Sequence, residues 1–142
     1  MNGGEQVRPF WWALTVLLAP WLLWMTLRPN QSMAADLSPL AAQAAERGIS
    51  PRTLIGLMGN IIVFAPLGAT LALAESDKLI NQRLLLATLG GAFLSLTIEL
   101  LQMLIPSRVT ALDDWLLNTI GTALGALASL LLTTESFSRR TR

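Results

Sequence analysis

The 142-residue sequence contains no cysteine and no histidine. The first absence excludes a disulfide framework, a thiolate nucleophile and a cysteine metal site, and the second removes the commonest metal ligand and general base. Charge is scarce as well: only 13% of residues are Asp, Glu, Lys or Arg, about half the fraction usual in a soluble domain. The formal net charge is +1, and the basic residues are scattered rather than interleaved with aromatics, so nothing points to nucleic acid. What the chain has in abundance is apolar side chain, at 53%. These residues are bunched into runs long enough to cross a hydrocarbon core of ~30 Å, which takes about 20 residues of helix. The expected fold is all-α: a polytopic membrane protein of about four transmembrane helices forming a single domain over residues 1–142, with no substantial soluble part.

The first span is read over residues 10–27, with Trp11, Trp12, Trp21 and Trp24 near its ends as an interfacial belt and Pro20 as a site of kinking. It is read as a retained span rather than a cleaved leader, because it is long and Trp-rich and only Arg8 marks a basic flank. A hydrophilic connection follows, with a short helix expected over 38–47: Ser38 caps it, Pro39 suits its first turn and Gly48 ends it. Spans are then expected over 54–74, 84–105 and 115–132. A polar turn from Glu75 to Arg83 separates the second from the third, and Pro106 stops the third. Arg8, Lys78, Arg83, Arg139, Arg140 and Arg142 fall on one side, against Arg28, Arg47, Arg52 and Arg108 on the other, which places both termini in the cytoplasm.

Glu99 is the most informative residue. It lies seven residues before Pro106, or ~10 Å inside that end of the span. An ionised carboxylate at such depth costs several kcal/mol unless it is paired, solvated or protonated. Gly91, Ser95, Glu99 and Gln102 share one helix face; Asp114, Asn118, Gly121 and Gly125 share another on the fourth span. Asn60 reaches a similar depth in the second span. Three helices are thus expected to bring Asn60, Glu99, Gln102 and Asn118 beneath a loop carrying Arg108, Asp113 and Asp114, forming a polar pocket that faces the outer leaflet. Gly121 and Gly125 form a small-xxx-small pair suited to close helix approach, either within the bundle or against a partner membrane protein or second copy.

At these residues the sequence resembles the VanZ-like family of small bacterial membrane proteins. The resemblance is carried by Asn60-x3-Phe64-x-Pro66-x-Gly68, by Glu99-x2-Gln102, and by Arg108-x4-Asp113-Asp114-x3-Asn118-x2-Gly121-x3-Gly125, with Thr26, Leu27 and Pro29 at the end of the first span. It covers roughly residues 10–133. Thr110 and Ala111 depart from it, standing where family members often carry an aromatic residue and an additional acid. The resemblance implies a bacterial cytoplasmic membrane and an envelope setting, since the family is named for a member linked to low-level teicoplanin resistance. It does not imply a particular reaction.

Three functions fit these residues. In the first, Arg108 engages an anionic lipid or lipid-linked envelope precursor while Asn60, Gln102 and Asn118 supply neutral hydrogen bonds and Glu99 anchors a sugar or amine. In the second, the protein is a membrane-embedded hydrolase or transferase with Glu99 as general acid or base and Asp113 or Asp114 as the second carboxylate. In the third, the polar residues stabilise the bundle, with Glu99 paired to Arg108, and the protein assists another envelope system. No cofactor is expected and no metal site is assigned, two adjacent Asp residues being weak grounds for a divalent cation.

Overall fold

Where water is absent, each backbone N–H and C=O must be satisfied within its own segment, so apolar runs of this length close into helices. The computed structural model describes residues 3–27, 42, 43, 45–48, 50, 57–105 and 112–140. Helix α1 spans Gly3–Thr26; a π-helical segment, Leu57–Ile62, runs directly into α2, Val63–Ala74; α3 spans Ile80–Gln102 and α4 spans Leu112–Arg140. There is no strand among the described residues. Val7–Thr26, Ile80–Gln102 and Leu112–Thr134 are long and apolar enough to cross a membrane, and Gly59–Ala74 is a shorter apolar helix.

The helices outrun the apolar segments. α1 begins at Gly3 rather than Phe10, α4 continues beyond Leu132, and α3 takes Asn81, Gln82 and Arg83 from the expected turn. The reason is that hydrophobicity limits how much helix sits in lipid, not how far the i→i−4 bonding continues into a polar sequence. Pro20 lies inside α1 without ending it. At the start of α3, the Leu79 N–H donates to Gln82 Oε1 at 3.4 Å and the Gln82 N–H to Asn81 Oδ1 at 2.9 Å. In the connection between the first two spans, residues 42, 43, 45 and 46 are helical and Gly48 follows with φ 73°, its N–H donating to Ala45 O at 3.0 Å. A positive φ at this point is how glycine ends a helix; Ser38 and Pro39 lie outside the described residues.

Helix α2 occupies the middle of the bundle, packing against α1, α3 and α4. It runs parallel to α4, and glycine sets how close the two come: a Cβ at Gly121 would strike the Ile61 main chain, one at Gly125 the Ala65 main chain, and one at Gly68 the Thr122 main chain. Close backbone approach through small residues is how helices gain packing in a solvent as apolar as leucine. The Gly121/Gly125 face, which the sequence also offered to a partner or second copy, is therefore filled from within the chain. Leu22 of α1, Phe64 and Leu67 of α2 and Ile98 of α3 form one buried cluster, and Ala72, Ala87, Ala126 and Leu130 form another. The outer surface is apolar, with Leu17, Trp24, Phe93 and Leu104 among its exposed residues, whereas Ser95, Glu99, Asn118 and Thr122 are buried. That inversion of the soluble pattern is the one a lipid environment requires.

Candidate functional site

The two ends of the bundle differ. At one, Arg8 at the start of α1 pairs with Asp77 in the α2–α3 turn at 3.5 Å, and Lys78 pairs with Glu75 at 3.4 Å. The first is an exposed pair, of a kind that adds little stability, whereas in the second the Glu75 side chain is largely buried. The other end, where α1 and α3 finish and α4 begins, collects the polar residues singled out from the sequence.

Here the side chains join helices. Asn60 Nδ2, in the π-helical segment, donates to Asp114 Oδ1 at 2.8 Å in the first turn of α4. Asn118 Nδ2 donates to Ser95 Oγ at 2.9 Å, linking α4 to α3. Gln102 Nε2, at the end of α3, donates to the Thr26 carbonyl at 2.9 Å, supplying a partner to a C-terminal carbonyl of α1 that has none within its own helix. All three amide nitrogens expected to face a ligand are thus engaged with protein oxygens. The Asn118 side chain is 3% exposed and its Oδ1 has no hydrogen-bond partner among the described residues.

Glu99 is buried, at 7% exposure, on the α3 face that carries Ser95 and Gln102. Because α3 ends at Gln102 rather than Ile105, Glu99 lies three residues from the helix end, or ~5 Å, shallower than the ~10 Å expected from the apolar run. The chain turns after Gln102, with the Met103 N–H bonded to Glu99 O at 3.2 Å. Asp113 and Asp114 part company: Asp113 is exposed, while Asp114 turns toward Asn60. Successive helical residues point about 100° apart, so only Asp114 joins the cluster. Arg108, Thr110 and Ala111 lie outside the described residues, and with them the pairing of Glu99 to Arg108.

Two residues of this region were not singled out from the sequence. Trp115 Nε1 donates to the Ala92 carbonyl at 3.0 Å, a second tie from α4 to α3. Thr122 Oγ1 donates to the Asn118 carbonyl at 2.9 Å and its side chain fills the space left by Gly91. Thr122 was detectable as a polar residue four positions after Asn118, although an apolar stretch offers no reason to prefer it over Thr119. A double-mutant cycle over Ser95→Ala and Asn118→Ala, read from unfolding in detergent, should give a coupling of about 1 kcal/mol. Strict additivity would show that the interhelical bond adds nothing.

The arrangement is a small polar end on an apolar bundle, with the amide nitrogens of Asn60, Gln102 and Asn118 engaged internally. A family model described as VanZ/LLP1 matches residues 8–133, most of the chain. No curated protein and no solved structure matches it.

Proposed function

The chain belongs to the VanZ family, and from that premise we propose that it is a multi-pass protein of the bacterial cytoplasmic membrane that binds an anionic lipid or lipid-linked envelope precursor at its polar end. The observation that carries this reading is the convergence of Asn60, Glu99, Gln102, Asp114 and Asn118 from separate helices at one end of a bundle whose periphery is apolar. Charge bias puts that end on the outer side, with both termini cytoplasmic. Arg108 is the one basic residue between α3 and α4 in the sequence, and its guanidinium is suited to a phosphate. The oxygen atoms of the cluster complement this by accepting from sugar hydroxyls or an amine. Binding a precursor there gives a route to altered glycopeptide susceptibility, because teicoplanin acts on cell-wall precursors outside the membrane.

The engagement of the three amide nitrogens changes the division of labour expected from the sequence. Asn60, Gln102 and Asn118 hold helices together first. Native mass spectrometry of the purified protein should show a retained phospholipid or lipid-linked glycan that is lost in Arg108→Ala. Absence of any lipid, or the same lipid at the same occupancy in the variant, counts against the reading. A second reading, hydrolysis or transfer on such a lipid with Glu99 as acid or base, is favoured by Asp114 being the second carboxylate turned inward. Turnover unchanged in Glu99→Gln excludes it.

A further inference from the structure

Both acids of the α2–α3 turn already have partners: Asp77 pairs with Arg8 and Glu75 with Lys78. Arg83, at the same end of the bundle, has no carboxylate to pair with among the described residues. It is the fourth residue of α3 and is half-buried. Its Nε donates to the Ala72 carbonyl at 2.7 Å. Ala72 lies in the last turn of α2, where carbonyls run out of intrahelical donors and the helix dipole favours positive charge. One role of Arg83 is thus to close the end of α2. That role uses a single N–H. A guanidinium carries five, and the four on Nη1 and Nη2 have no acceptor among the described residues.

Anchoring through Nε fixes the plane of the fork, and its two-nitrogen end is an edge that matches two oxygens of a phosphate. The surroundings say which phosphate. Leu79, Ile80 and Leu86 lie four and three residues before Arg83 and three after it, so they share its helix face. They are 67%, 57% and 41% exposed, which sets the charge into the apolar outer surface of a membrane-spanning helix. The first N–H groups of α3 do not supply the donors, because the Leu79 N–H is taken by Gln82 and the Gln82 N–H by Asn81. The guanidinium does.

We propose that Arg83 binds the phosphate of an anionic phospholipid at the end of the bundle opposite the polar cluster. On the charge bias of the sequence this end meets the cytoplasmic leaflet, whose anionic lipids attract basic residues beside the membrane. The headgroup sits at the α2–α3 turn and the acyl chains follow the apolar face of α3. The site is separate from the outer one built around Arg108, and neither depends on the other.

Arg83→Gln separates the two roles of this side chain. The Gln Nε2 stands the same number of bonds from Cα as the Arg Nε, so it can still donate to the Ala72 carbonyl while the Nη groups are gone. The experiment is thermal unfolding of the purified full-length protein in detergent, titrated with phosphatidylglycerol, with phosphatidylcholine as a lipid of no net charge, and with inorganic phosphate. The wild-type midpoint should rise saturably with phosphatidylglycerol and with neither of the others. Arg83→Gln should start from a midpoint near that of the wild type and need about ten-fold more phosphatidylglycerol for the same rise. The change should have the same effect in an Arg108→Ala background, so a failure of the outer site leaves this result readable. Native mass spectrometry of both proteins equilibrated with phosphatidylglycerol gives a second readout that does not rest on stability: the variant should retain one lipid fewer. The proposal is overturned if the two lipids shift the wild type alike, or if Arg83→Gln titrates and retains lipid as the wild type does. A rise with inorganic phosphate equal to that with phosphatidylglycerol would identify the free ion and overturn the lipid assignment.

Discussion

Replacing Gly125 or Gly68 with leucine should abolish accumulation of folded protein. Both glycines face main-chain atoms across the α2–α4 contact, so the added side chain meets a backbone carbonyl rather than a rotatable neighbour. Overpacking a core commonly costs about 1–3 kcal/mol. Here relief requires separating two helices along their closest approach, which puts the cost at the upper end or beyond, at least about 3 kcal/mol against a total stability of about 5–15 kcal/mol. Gly90 is the control. It is exposed, and a Cβ there meets only the tip of Leu71 at 3.3 Å, so Gly90→Ala should be neutral or add up to about 1 kcal/mol through helix propensity. Midpoints from detergent unfolding, together with membrane abundance, separate the cases. Gly125→Leu protein as stable as the wild type would show that α2 and α4 are not in this contact.

Phe64→Ala should cause the second largest loss. Phe64 is fully buried and joins α1, α2 and α3 through Leu22, Leu67 and Ile98. In a water-soluble core the substitution costs about 3–5 kcal/mol, part of it lost transfer from water and part the cavity left behind. Lipid is as apolar as the core, so the transfer part shrinks and the cavity part remains. The expected loss is about 2–3 kcal/mol. Ile62→Ala, two residues away and exposed, should stay within about 0.5 kcal/mol. Equal losses at the two positions would show that Phe64 is not the keystone of that cluster. Its place in the motif Asn60-x3-Phe64-x-Pro66-x-Gly68 then has a physical account: about two and a half turns of helix carry a polar interhelical tie, a core aromatic and a close-contact glycine.

Much of the polar end was legible before any coordinates. Ser95, Glu99 and Gln102 fall on one face of α3 by helical arithmetic, and all three are buried. Asn118, Gly121 and Gly125 do the same on α4. Depth along the helix was less legible, because the apolar run continues to Ile105 while the helix stops at Gln102. Glu99 consequently sits nearer the end than the hydropathy implied. The two adjacent acids were equivalent in the sequence, and only the helical phase of α4 turned Asp114 in and left Asp113 out.

Amino-acid order by itself determined that this is an all-α protein whose long helices are apolar enough for a membrane, because lipid forces each run to satisfy its own backbone and length sets whether it can cross. It also determined which residues share a face, because 3.6 residues per turn is a local property. Pairing belonged to the tertiary structure. Gly121 and Gly125 could serve a second copy or this chain's own α2, and Asn60, Gln102 and Asn118 could serve a ligand or another helix. Which partner each takes depends on residues 23 to 76 positions away, and no local period encodes that choice. The packing of the helices against one another made it, drawing the amide nitrogens of Asn60, Gln102 and Asn118 into the bundle.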